Sequence, residues 1–263
     1  MLSRRDFLKL GSTALLASVF PHLGLTDSFP PSAPVIYEGS RAYRKIAMTF
    51  DDCWHIEVIE QLVAILQPYP DFHFTFFAVG DAINIDEALR PGIWKMLSRG
   101  GHELGYHTMH HIDPRVMSVQ SLLADFDEWM TTLQLALGFK PQVHFARPPG
   151  DSLSLSWQEL CQQRGLVATM FSTGFEAPNI DDSMLLASQA ANGDIVQMHT
   201  YLDPAKGRYD LDITAKAVPY LAAQGFTLVT MSELYDDLLR EQKGSPGCDF
   251  GAGDSLTRTC IQQ

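Results

Sequence analysis

From residue 45 onward the apolar positions fall into two alternating rhythms. Short runs rich in β-branched and aromatic residues, at 45–50, 73–79, 103–106, 143–146, 166–170, 194–198 and 226–230, predict strands. Between them lie longer stretches with apolar residues three and four apart. These predict helices over 56–67, 86–99, 118–137, 152–164 and 212–223, with a last one over 232–242. Gly100-Gly101, Gly138 and Gly225 stand just past three of these stretches, where a glycine in the left-handed conformation ends a helix. Strands that alternate with helices build parallel βαβ units, so the pattern predicts an α/β fold, either a barrel or a doubly wound sheet. The proline-rich stretch 31–42 reads as a linker, 43–240 as one α/β domain, and 241–263 as an irregular tail.

The first thirty residues follow a different logic. Ser3-Arg4-Arg5-Asp6-Phe7-Leu8-Lys9 precedes a short apolar run, the layout of a secretory signal with the paired arginines of the twin-arginine route. The run is about half of the roughly twenty residues a spanning helix needs, so no transmembrane segment is expected apart from a signal left uncleaved. Residues 1–30 are therefore expected to direct export to a periplasmic or extracellular destination. That compartment permits disulfides. Cys248 and Cys260, close together in the tail, are expected to form a staple, while Cys53 and Cys161 fall in distant segments and are not expected to pair.

Composition narrows the function. The chain is 46% hydrophobic and 10% aromatic, which excludes a disordered protein. Nineteen Lys+Arg against 31 Asp+Glu leave a net charge of −12, which argues against nucleic-acid binding and against a polybasic membrane-surface protein.

The chemistry sits just after the strands. Asp51-Asp52 follow the first, His107 and His111 the third, Arg147 the fourth and His199 the sixth. In parallel α/β folds the carboxyl ends of the strands form the reaction face, so these groups are expected on one rim. His107 and His111 are four apart, a spacing that one helical turn would put on one side. Two imidazoles and a carboxylate make a frequent catalytic zinc set. Of the two adjacent aspartates, one can then ligate the cation and the other stay free as a base, oriented by the planar fork of Arg147. His110 reads as a solvated or packing residue.

These residues resemble a known family. Thr49-Phe50-Asp51-Asp52, the run Gly101-His102-Glu103-Leu104-Gly105-Tyr106-His107-Thr108-Met109-His110-His111, Arg147-Pro148-Pro149 and Met198-His199 are similar to the ordered motifs of the polysaccharide deacetylases with NodB homology, family four of the carbohydrate esterases. The resemblance implies a distorted (β/α)7 barrel and metal-dependent removal of acetyl groups from an N-acetylated envelope or extracellular glycan by attack of a metal-bound water. It assigns Asp51 as general base, Asp52, His107 and His111 as metal ligands, Arg147 as partner of the base, His199 as general acid, and the Gly150 N–H as oxyanion donor. Zinc is the expected metal, with cobalt, nickel or manganese as alternatives.

The chain departs from the family pattern in four places. Cys53 replaces a usual glycine and is either a wall residue or a fourth ligand. Gly150 replaces an aromatic after the Arg-Pro-Pro motif. The segment Phe171-Ser172-Thr173-Gly174-Phe175-Glu176 lacks the family's aspartate, so Glu176 or Asp181 is expected to tune His199. Gln197 stands where leucine is usual and is expected to face the rim. Trp54, Tyr106, Trp157, Phe171 and Phe175 are candidates for stacking on sugar rings. Two alternatives follow: hydrolysis of a small amide or cyclic imide on the same barrel, or a catalytically silent carbohydrate-binding homologue.

Overall fold

The computed structural model describes residues 33–244, so residues 1–30, expected to be a signal, and the tail cysteines Cys248 and Cys260 lie outside the described residues. Among these residues nine strands form one sheet: β1 (Val35–Ile36), β2 (Lys45–Asp52), β3 (Thr75–Ala78), β4 (Glu103–Tyr106), β5 (Phe145–Ala146), β6 (Val167–Thr169), β7 (Thr173–Gly174), β8 (Ile195–His199) and β9 (Thr227–Leu228). Eight α-helices accompany them there: α1 (Ile56–Ile65), α2 (Gly80–Leu89), α3 (Ile93–Arg99), α4 (Val119–Leu137), α5 (Leu155–Arg164), α6 (Ile180–Ser188), α7 (Pro204–Ala223) and α8 (Met231–Gly244).

The strand order is β1-β6-β5-β4-β3-β2-β8-β7, with β9 beside the start of β2, and every strand pair is parallel. From β2 to β6 neighbours in sequence are neighbours in space, and β8 returns to the free edge of β2. That is the order of an α/β barrel, curled and left open between β6 and β7, and it agrees with the distorted barrel expected above.

The segment 31–42 is not merely a linker. β1 hydrogen-bonds to β6, with the Ala168 and Met170 N–H groups donating to the Pro34 and Ile36 carbonyls. Glu38 then bridges antiparallel to Asp194 and the Gly39 N–H donates to the Gly193 carbonyl, so this segment spans the opening. β1 and β7 are two residues each, and unlike the equally short β5 and β9 they do not fall in one of the apolar runs, so the pattern gave no sign of them.

Helix boundaries differ for identifiable reasons. The helix expected over 86–99 is two, broken at Pro91-Gly92. Gly92 adopts φ 84°, and the Glu87 carboxylate accepts the Gly92 and Trp94 N–H groups at 2.7 and 3.2 Å, capping α3. Helix α7 starts at Pro204 rather than 212, with Asp203 as its cap, and α6, unforeseen, is capped by Asn179. Helix α8 extends into the stretch expected to be irregular from 241.

Strand alternation fixes what each face sees. In β2, Ile46, Met48 and Phe50 join the layer packed by the helices, together with Trp94, Trp129 and Trp157, all fully buried. Ala47 instead joins an inner cluster with Ile36, Phe77, Phe145 and Ile195, which Met231 and Leu234 of α8 close off. Thr49 and Asp51 continue that inner phase. Each large apolar side chain buried this way contributes about 1.5–3 kcal/mol, so the scaffold behind the site is rigid. Among the described residues no helix is long and apolar enough to cross a membrane.

Candidate active site

Asp51 projects from the end of β2 into the barrel and is almost fully buried. Arg147, fully buried after β5, donates from Nη1 to Asp51 Oδ1 at 2.8 Å and to Thr49 Oγ1 at 2.7 Å, and from Nη2 to the Met170 carbonyl at 3.0 Å. Its guanidinium also lies 4.3 Å over the Phe77 ring. Gln197 Nε2 donates to Asp51 Oδ2 at 2.9 Å. Burial works to raise the Asp51 pKa, but the charge of Arg147, the nearby His107 and His199 and the Gln197 amide outweigh it and hold the carboxyl below its ordinary value.

A regular strand would turn Asp52 to the opposite face. Asp52 and Cys53 instead adopt φ 71° and 67°, and this left-handed step re-aims the second carboxylate toward the rim. Asp52 Oδ1 lies 3.5 Å from His107 Nε2 and 3.1 Å from His111 Nε2. The two histidines are not on a helical turn, as their spacing suggested. They sit on a loop after β4 whose Thr108 and His111 have φ 64° and 53°. The loop is pinned from outside: buried Asp125 of α4 accepts the Met109 N–H at 2.8 Å, and the Gly80 and Asp81 N–H groups donate to the Thr108 and Met109 carbonyls. A Cβ on Gly80 would fall 2.1 Å from Met109 Sδ, so this close approach needs glycine.

The donor set suits a divalent cation. His107 Nδ1 is 2.8 Å from the Arg147 carbonyl. A carbonyl can only accept, so Nδ1 carries the proton and Nε2 presents a lone pair. Asp52 Oδ1 is buried without a hydrogen bond, and the ligand atoms of Asp52, His107 and His111 lie within 4.8 Å of one another. When the two imidazoles are instead protonated, they outweigh burial and hold the Asp52 carboxyl below its ordinary value. Such a convergence of lone pairs, with an orphaned oxygen at its centre, is what two imidazoles and a carboxylate offer zinc. Cys53 is not part of the set. Its buried thiol points to the Phe50 carbonyl, and burial together with the charges of Asp52, Asp86 and Asp51 pushes its pKa up, away from a ligating thiolate. His110 is exposed and pairs with Asp81.

Opposite this cluster stands a second one. His199, at the end of β8 and next to Asp51 in the β2–β8 register, has Nδ1 2.6 Å from Glu176 Oε1. Tyr201 donates its hydroxyl to Glu176 Oε2 at 2.6 Å and stacks on His199 with ring centroids 4.4 Å apart. Asp210 of α7, buried, completes the group within the same 4.8 Å span, and its Oδ2 has no hydrogen-bond partner. Burial acts to lower the His199 pKa, yet Glu176, Asp51 and Asp52 raise it to about 9, so the ring is an imidazolium at neutral pH. Burial and the neighbouring Glu176 push Asp210 the other way, toward a neutral carboxyl.

Of the two residues expected to tune His199, the structure brings Glu176. Asp181 stays exposed in the first turn of α6, where a carboxylate complements the helix dipole. Tyr201 and Asp210 were missed. A signal for Asp210 exists: in α7 it falls in phase with Gly207, Thr214 and Ala217, on the buried side of the helix. Gln197, expected at the rim, is buried between Asp51 and the turn after Pro149. Gly150 in that turn is exposed with φ 60°, and a Cβ there would meet just Ser152 Oγ at 3.7 Å. Tyr106, Trp157 and Phe175 are fully buried, and Tyr106 stacks on Trp157, so these three support the core rather than a sugar. Trp54 and Phe171 remain partly exposed.

Comparisons with known proteins bear on the family pattern and the fold. The sequence model of the polysaccharide deacetylases matches residues 38–166. A peptidoglycan-N-acetylglucosamine deacetylase of Bacillus cereus is 27% identical over 224 residues, which is 80% of this chain and 97% of that protein. Among solved structures, the peptidoglycan deacetylase PdaC of Bacillus subtilis aligns with a TM-score of 0.63 at 22% identity, covering 78% of this chain and 95% of that one. A carbohydrate esterase family 4 pseudoenzyme from Bacillus anthracis aligns with a TM-score of 0.67 at 20% identity, over 78% of this chain and 70% of that one. These two structures bear on the fold; the family match bears on ancestry. Residues 38–166 carry the sequence pattern of a polysaccharide deacetylase domain, and the likeness to a protein so named extends over 80% of the chain.

Proposed function

We propose that this protein is a metal-dependent hydrolase that removes acetyl groups from an N-acetylated envelope or extracellular glycan. One observation carries the reading: a buried carboxylate, Asp51, held by Arg147, lies between a two-imidazole carboxylate set and a carboxylate-bound imidazolium. Asp52, His107 and His111 would hold the cation, zinc first, with cobalt, nickel or manganese as alternatives. When bound, such an ion supplies Lewis acidity, making water more acidic and an acyl carbonyl more electrophilic.

The protein's own groups do the rest. Asp51 takes the proton of the attacking water, a role worth about 10² to 10⁴ in rate. Arg147 keeps that carboxylate ionised and aimed. The Gly150 N–H takes the oxyanion that forms at the acyl oxygen, the role the family resemblance assigns to the residue after Arg-Pro-Pro, where a well-placed donor is worth about 3–4 kcal/mol. His199, charged near neutral pH, gives its proton to the departing sugar nitrogen, so that amide and water become amine and acetate. Glu176 supports this reading over a silent homologue, because the acid histidine has its carboxylate despite the altered segment before it. The acidic overall charge and the signal-like residues 1–30 fit export by the twin-arginine route and action on a glycan outside the cytoplasm.

The test is acetate release by the zinc-loaded mature protein from peptidoglycan, acetylated chito-oligomers and simple amides, with Asp51→Asn as control. Release from a glycan, lost in the variant, is expected. Turnover of simple amides alone would replace the substrate class, and no release from any of them would overturn the enzymatic reading.

A further inference from the structure

The structure assigns Gln197 and Asp151 a shared positioning role, in which they tie the general base to the turn that carries the oxyanion donor. Gln197 Nε2 has two hydrogens, and both are used at 2.9 Å, one on Asp51 Oδ2 and the other on Asp151 Oδ1. Gln197 lies near the end of β8, largely buried, so its amide is placed by the sheet. Asp151 is the opposite kind of residue. It is exposed, directly follows Gly150, and adopts φ 54°, a left-handed backbone that costs a non-glycine residue about 1 kcal/mol or more.

Two consecutive left-handed residues, Gly150 and Asp151, make a turn held within itself by short-range bonds alone. These are the Asp151 N–H on the Pro148 carbonyl, the Ser152 N–H on the Pro149 carbonyl, the Leu153 N–H on the Asp151 carbonyl and the Ser152 hydroxyl on the Gly150 carbonyl. The Gln197 bridge adds a side-chain tie that runs from this turn to the sheet and ends on the same carboxylate that Arg147 grips from the other oxygen. With leucine at 197 both bonds would be absent. The turn would then move independently of Asp51, and an oxyanion donor misplaced by about an ångström loses much of its effect.

Neither residue is proposed to touch the reacting atoms; they are positioning residues. The proposal rests on the deacetylase reading above. The experiment is a double-mutant cycle on the zinc-loaded protein, with acetate release from hexa-N-acetylchitohexaose as the assay and melting temperature as the control for folding. Gln197→Leu and Asp151→Ala are each expected to lower kcat on the order of tenfold with KM held within about twofold. The double variant should be no more than about twofold slower than either single one, because both cut the same tie. Asp151→Asn keeps the accepting oxygen and should stay close to wild type, which separates the hydrogen bond from the charge.

Losses that multiply to about a hundredfold, an unchanged kcat in Asp151→Ala, or an effect confined to KM would each overturn the proposal. Should Gln197→Leu fail to fold, the contrast between the Ala and Asn variants at exposed Asp151 decides alone. A wild-type protein that releases no acetate would instead overturn the deacetylase reading, and this role with it, an outcome distinct from an active wild type whose variants are unaffected.

Discussion

The two ionisable clusters that flank Asp51 are built from the same groups in opposite proportion. One has a single carboxylate and two imidazoles, Asp52 with His107 and His111; the other has two carboxylates and one imidazole, Glu176 and Asp210 with His199. The proportion decides what each can hold. In the first, His107 spends its one proton on the Arg147 carbonyl, and lone pairs converge on a buried, unbonded oxygen. Such a set is satisfied by a cation. In the second, Glu176, helped by Asp51 and Asp52 across the site, raises the His199 pKa to about 9 while Asp210 is pushed toward its neutral form, so the cluster holds protons. In the proposed reading, water activation and proton delivery fall to these two clusters on either side of Asp51, whose carboxyl Arg147 holds below its ordinary pKa.

The largest effects should come from breaking the first cluster. His107→Ala or Asp52→Ala is expected to lose tight zinc binding and to lower kcat/KM on the order of 10³-fold or more, read by metal content and acetate release. Next comes the second cluster. Glu176→Gln should keep its zinc yet lower kcat about 10- to 100-fold. The sign of its pH effect follows from the cause of the shift. Glu176 raises the His199 pKa, so activity that needs the imidazolium is present below about 9 and lost above it in wild type. Without that carboxylate the basic limb of the kcat profile moves down toward the ordinary histidine value of about 6.5. The smallest effect belongs to Asp210. Asp210→Asn, which preserves a donor toward Glu176, should stay within about threefold of wild type, whereas Asp210→Ala should cost about tenfold in kcat, an asymmetry expected if the residue acts as a neutral carboxyl.

The same contrast explains what was legible in the sequence. The first cluster comes from two short stretches, Asp52 beside Asp51 at the end of β2 and His107 with His111 on one loop after β4, so spacing within each stretch pointed to them. The loop geometry was not legible, because nothing in the residue types at 52, 108 and 111 announces a left-handed φ, and the loop is tied by distant partners, Asp125 to Met109 and Gly80 to Thr108. The second cluster is assembled from β8, the segment after β7 and the middle of α7. Tyr201 and Asp210 therefore had no motif to announce them, although the buried phase of α7 marks Asp210 in retrospect. Fold class was readable from the alternation of strand and helix patterns, whereas β1, β7 and α6 were not, being too short or too weakly patterned. Gln197 was visible as an unusual residue, but its bonds to Asp51 and Asp151 depend on a turn folded far away in sequence.

Zinc content after equilibrium dialysis of wild type, Asp51→Asn and Asp52→Asn, each at the same free metal concentration, puts the division of labour between the adjacent aspartates to its most direct test. The account predicts one ion per chain in wild type and in Asp51→Asn, and a large loss in Asp52→Asn. Equal loss in both variants, or none in either, would contradict it.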